Sequence, residues 1–146
     1  DVLAEYQIPI NLIQLEILET DASVDSKLLI RFLQIFKSSG FSLAMDDFGS
    51  GYSSLGMFNS MPIDCLKLDK SFFDSWQPDM SERDSCLIKY MIKAAHDTGR
   101  TVVAEGIEEK FQVDLLRQYD CDMIQGYYFS KPLPAEEFAS KMHKRV

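Results

Sequence analysis

Two adjacent carboxylates, Asp46 and Asp47, close the apolar run "FSLAM" and open the glycine- and serine-rich stretch "FGSGYSSL". Other apolar runs stop in the same way. Glu16 and Glu19 end "IQLEILE", Lys67 and Asp69 end "CLKLD", Glu105 and Glu108 flank the glycine of "VVAEGIE", and Gln125 interrupts "DMIQGYYF". Side chains alternate along a strand, so Lys67 and Asp69 share one face while Leu66 and Leu68 take the other; Glu105 shares a face with Val103. Turned toward a common mouth, Glu16, Asp46, Asp47 and Glu105 would repel one another. Hard divalent ions resolve that conflict. Mg²⁺ or Mn²⁺ takes oxygen ligands, and a carboxylate can bridge two ions roughly 3.5–4 Å apart that activate water and steady a phosphoryl group. The Asp46–Asp47 pair suits one inward bridging ligand and one loop ligand. The plainer reading makes each acid a helix cap or a solvated strand end. Five strand ends with the same design weigh against it.

These residues need elements that bring them together. The runs 13–19, 41–46, 65–69, 101–106 and 122–129 read as strands. Helical patterns lie between them. Residues 24–38 place Leu28, Phe32, Ile35 and Phe36 on one face, with Gly40 as a stop. Residues 84–98 repeat that design before Gly99, and 108–119 form a third helix. Residues 134–145 form a fourth, with Pro134 and acids in front and bases behind, as the helix dipole favours. A short helix is expected over 53–60 and a polar loop over 73–83. Strands alternating with helices mean parallel βαβ units, hence a doubly wound sheet or a (β/α)8 barrel. A barrel takes about 250 residues. The 146 residues are therefore expected to be the C-terminal five βα units of a TIM-like barrel, with its first strands upstream of Asp1.

Composition narrows the partners. The chain is 46% hydrophobic and 26% charged, enough to bury a core. A net charge of −8 suits polymeric nucleic acid poorly, because phosphate binding needs cations. Cys65, Cys86 and Cys121 are odd in number and lack a CxxC, which reads as reduced thiols in a cytoplasmic setting. No apolar run nears the roughly 20 residues of a membrane span, and no signal peptide opens the chain. His96 and His143 stand alone on predicted helices, and Met57, Met61 and Met80 read as packing. "DFG" at 47–49 lacks the other motifs of a kinase, and "GSGYSS" lacks the third glycine of a dinucleotide loop.

Taken in order, "LEILE", "DDFGSGYSSL", "LKLDKSF", "VVAEGIE" and "QGYYFSKPLP" resemble the EAL domain family, over nearly the whole chain. Its members are bacterial phosphodiesterases that linearise cyclic di-GMP to pGpG on a TIM-like barrel. The resemblance implies metal ligation by Glu16, Asp46, Asp47 and Glu105, with Asp46 bridging two Mg²⁺ or Mn²⁺ ions. It implies that Lys67 positions the attacking water and the phosphate. Glu105 is a metal ligand also proposed as general base, and the sequence does not separate those roles. Gln125 and Glu108 match site-supporting residues. Glu19 matches an anchor for the loop Phe48, Gly49, Ser50, Gly51, Tyr52, Ser53, Ser54 and Leu55, which couples metal site to homodimer. Tyr127 shares parity with Gln125 and is a candidate for stacking beside a guanine base.

Some family features are missing. The glutamate of the naming motif and an asparagine ligand belong upstream of Asp1, and Leu18 stands where threonine is usual. The isolated chain is therefore expected to be inactive, and its parent domain active. The alternative is an EAL-like module that binds cyclic di-GMP without cleaving it, for which loss of Asp47 or Glu105 would be the sign. Both residues are present. No membrane contact is expected of this segment.

Overall fold

The computed structural model describes residues 2–21, 26–49 and 59–143. Among them a short helix α1 (Val2–Glu5) and a 3-10 turn (Ile10–Leu12) lead into β1 (Gln14–Leu18). Then come α2 (Ser26–Ser38), β2 (Ser42–Phe48), β3 (Cys65–Leu68), α3 (Glu82–Asp97), β4 (Thr101–Ala104), α4 (Lys110–Gln118), β5 (Met123–Ile124) and α5 (Ala135–His143). The strands form one sheet in the order β1-β2-β3-β4-β5, and each pair is parallel. A doubly wound sheet reverses its strand order at a switch point. Here the order never reverses, so of the two expected architectures the arc of a barrel fits.

The sheet's two faces differ in chemistry. Leu43, Met45, Leu66, Leu68, Val102 and Ala104 point to one side. There they meet Leu33 of α2, Ile88 and Ile92 of α3, and Val113 and Leu116 of α4. Each large side chain buried in this layer contributes about 1.5–3 kcal/mol before the cost of ordering it. The other face holds a separate, smaller cluster of Ala44, Cys65 and Val103. Above that cluster the same parity continues into polar residues, Asp46 on β2 and Lys67 on β3. The alternation that buries the leucines therefore aims these groups at the opposite side.

At the amino end of the sheet one device occurs twice. Asp64, just before β3, accepts the Leu43 N–H at 3.0 Å and the Lys37 ammonium at 2.8 Å. Asp122, just before β5, accepts the Val102 N–H at 2.8 Å and pairs with His96 Nε2 at 2.7 Å. Lys37 and His96 lie in the last turns of α2 and α3. Each aspartate thus ties a strand's second N–H to the end of the helix before it, which fixes register. The α3 helix also carries a capping box between Ser81 and Asp84.

Several boundaries differ from the sequence reading. The fifth strand spans two residues rather than 122–129. Gly126 brings the chain against Ile107, whose carbonyl accepts the Tyr128 N–H at 3.0 Å, so 126–129 turns instead of extending. A Cβ on Gly126 would lie 2.0 Å from that carbonyl oxygen. The expected polar loop at 73–83 buries Phe73 and Trp76, edge to face with centroids 5.1 Å apart. On α2 the face of Leu28, Phe32, Ile35 and Phe36 is exposed, while Leu33 enters the core. Of the short helix at 53–60, residues 59–60 are helical and the remainder lies outside the described residues.

Candidate functional site

The acids gather because β2 is irregular. Its pairing with β3 slips between Met45 and Phe48, and Asp47 adopts φ +53°. In a regular strand Asp46 and Asp47 would point to opposite faces. A bulge adds a residue and re-aims a side chain. Here carboxylate oxygens of Asp46, Asp47 and Glu105 come within 4.8 Å of one another. The left-handed backbone at a non-glycine residue costs of order 1–3 kcal/mol and is a feature of functional sites. Glycine also serves here at Gly49, φ +100°, where the Phe72 ring leaves no room for a Cβ.

Lys67 stands at the centre of the group. Its ammonium lies 2.8 Å from Glu16, 2.7 Å from Asp46 and 3.1 Å from Glu105, with a side chain only 10% exposed. Burial pulls the Lys67 pKa down, but hydrogen bonds to Asp46, Glu16 and Glu105 outweigh it and hold the group well above the usual lysine range. The Glu105 carboxyl is pushed up, chiefly by burial, against the opposing pull of Lys67. Asp47 is pushed up by burial and then by Asp46 and Asp69, with Lys67 again opposing. One lysine does not neutralise this many acids. An oxygen-only donor set with surplus negative charge fits a hard divalent cation. Glu16 joins the group through Lys67 and is not among the three carboxylates that crowd together.

The other residues singled out from the sequence take separate places. Glu19 is 2% exposed, and its carboxylate accepts the Gly49 N–H at 2.8 Å. It thereby holds the start of the segment that follows Asp47. Ser50, Gly51, Tyr52, Ser53, Ser54 and Leu55 lie outside the described residues. Asp69 caps the turn Lys70–Phe72 by accepting the Ser71 N–H at 2.9 Å. A hydrogen bond from the Ser71 side chain, with smaller help from the Ser71 and Lys70 N–H groups, holds its carboxyl below the usual range despite partial burial. Glu108 faces Lys70 at 3.3 Å. Gln125 and Tyr127 line a cleft beside the acids together with Lys70 and Glu108. Lys70 escaped the sequence reading, although it directly follows Asp69 in "LKLDKSF". Its signal was weak, because a lone lysine in a turn is ordinary.

A five-stranded arc of parallel strands, with a lysine and acids at its carboxyl ends, is consistent with part of an α/β barrel, a fold that binds its ligands at that end. The EAL domain family model matches residues 1–132, and the chain belongs to that family. It is 39% identical over 129 residues to the cyclic di-GMP phosphodiesterase NbdA of Pseudomonas aeruginosa, covering 86% of this chain and 16% of NbdA. The EAL domain of DcpA from Mycobacterium smegmatis superposes with a TM-score of 0.87 at 31% identity, over 98% of this chain and 63% of that one. A standalone EAL protein of Vibrio cholerae O395, in its c-di-GMP-bound form, superposes with a TM-score of 0.79 at 31% identity, over 89% of this chain and 54% of that one. The chain thus spans about a sixth of the length of NbdA and little more than half of these solved relatives.

Proposed function

We propose that residues 1–146 are part of an EAL domain that hydrolyses cyclic di-GMP to linear pGpG. The observation that carries this reading is the bulge that crowds Asp46, Asp47 and Glu105 together beside Lys67. In this reading Asp46, Asp47, Glu105 and Glu16 would hold two Mg²⁺ or Mn²⁺ ions, with Asp46 as the bridge. Such ions, when bound, lower the pKa of water and offset charge on a phosphoryl oxygen. Lys67 orients the attacking water and the phosphate. Glu105, besides holding metal, would take a proton from water as one P–O bond of the diester breaks. Gln125, Glu108 and Tyr127 support the substrate, and Glu19 sets the loop after Asp47.

The test is Asp46→Asn in the full-length protein that carries this segment, assayed for pGpG with Mg²⁺ or Mn²⁺. A loss on the order of 10²–10³-fold or more in kcat is expected for removal of one electrostatic element. Turnover near the wild-type level would refute the bridging role. The isolated 146 residues are expected to turn over little or nothing, because the five described strands form an open sheet and not the closed barrel that gathers a complete ligand set at its mouth. The exposed apolar face of α2 is consistent with a homodimer of the parent domain, and the free thiols with a cytoplasmic location. Among the described residues no helix is long and apolar enough to cross a membrane.

A further inference from the structure

We infer that the cavity between the β3–α3 and β4–α4 connections is a binding site for a small, free organic cation that carries a hydroxyl group. The cavity encloses about 430 Å³, a size suited to a small molecule. Its described lining includes none of Glu16, Asp46, Asp47 and Glu105. Its two sides are fixed before any ligand arrives. Gln112 is 8% exposed, and its Nε2 donates to the Phe73 carbonyl at 3.2 Å. Its Oε1 accepts the Glu108 and Glu109 N–H groups, each at 3.1 Å. One buried side chain thus bolts the β3–α3 connection to the start of α4.

The floor of the cavity is aromatic. Phe73 and Trp76 are buried there, and Phe111 is partly buried. Trp76 is 4% exposed, yet none of the described residues accepts a hydrogen bond from its indole N–H. A buried donor without a partner is costly, and an acceptor on a ligand would satisfy it. The rim is acidic. Asp74 and Glu109 are exposed and have no ion-pair partner among the described residues. Lys70, the lysine of the lining, is taken up by Glu108 at 3.3 Å. Aromatic rings beneath surplus negative charge select a cation, because the ring faces attract it and the carboxylates offset its charge. An ammonium only donates hydrogen bonds, so the Trp76 N–H calls for a second group on the ligand, and a hydroxyl supplies the acceptor. A phosphate ester in that place would be repelled by the carboxylates, which favours the free cation over a phospholipid headgroup.

The test is calorimetric titration of the full-length protein that carries this segment. The probes are choline, phosphocholine, and neohexanol, in which a carbon replaces the charged nitrogen of choline. Wild type is expected to bind choline about tenfold tighter than neohexanol, the scale of a cation over aromatic rings with its charge offset. Asp74→Asn combined with Glu109→Gln should shrink that preference to about threefold, since both carboxylates are exposed. Trp76→Phe keeps a ring but removes the N–H, and it should weaken choline and neohexanol alike by about fivefold. The preference is a ratio, so a general loss of folded protein cancels from it. Failure of choline to bind wild type at millimolar concentration would overturn the assignment. So would equal affinity for choline and neohexanol, a preference unchanged by the paired acid substitutions, or tighter binding of phosphocholine than of choline. Formation of pGpG enters none of these outcomes, so the phosphodiesterase reading stands or falls separately.

Discussion

The two ends of the sheet use the same residue type in opposite ways. At the amino end Asp64 and Asp122 each have a backbone N–H and a basic side chain as partners. At the carboxyl end Glu16, Asp46 and Glu105 share a single lysine, and Asp47 crowds against two of them. Burial opposes both sets. At Asp122 the bonds from His96 and Val102 overcome it, and the carboxyl sits below its usual range. At Asp47 and Glu105 they do not, and the carboxyls sit above it. Satisfied charge fixes register at the amino end, whereas the carboxyl end keeps surplus negative charge.

Lys67→Met should break the contrast most sharply. It removes the common cation from a nearly buried position, and stability without added metal should fall by about 2–3 kcal/mol, read from urea midpoints. Hydrolysis should fall with it. Mg²⁺ should raise the Tm of wild type through binding to the folded state, and Asp46→Asn should reduce that rise. A metal-independent Tm would argue against the donor set. Next in size, Asp122→Ala should cost about 1–2 kcal/mol by stranding the Val102 N–H, with kcat changed little. An equal loss of kcat would mean that the two ends are not separable.

The pH dependence should run in opposite directions. Asp122 has a depressed folded pKa, so its contribution is present above the unfolded value and is lost as pH falls through the folded one. Asp47 and Glu105 have raised folded values. Between the unfolded and the raised folded pKa the native state binds more protons, so acidification through that window stabilises the metal-free protein. Asp122→Asn should flatten the acid loss of stability, and Asp47→Asn should remove part of the gain. Urea midpoints measured without metal from mildly acidic pH downward would show both. The smallest effect is expected for Lys37→Met. Its pair with Asp64 is about two-fifths exposed on each side, and its loss should shift stability by about 0.5 kcal/mol or less.

Much of this arrangement could be read from residue order. Period-two runs gave four strands to within about two residues at each end, because a sheet with one oily face must alternate. The fifth run misled. "DMIQGYYF" has strand composition, but Gly126 turns the chain against Ile107, a contact that local pattern does not contain. Phe73 and Trp76 were hidden in a polar-looking loop for the same reason, since their burial depends on a core assembled from distant strands. Glu16, Asp46, Lys67 and Glu105 were legible as a group because strand ends in a parallel fold converge. Lys70 was not, because its meaning comes from Gly106 and Glu108, about forty residues away.

By itself the sequence determined the alternation that separates oily from charged faces, and the family. Alternation follows from backbone geometry and needs no partner. Only the tertiary structure decided that Asp46 and Asp47 stand together. Neighbours in a regular strand diverge, and it took the slip against β3 and a left-handed Asp47 to turn both carboxylates toward Glu105.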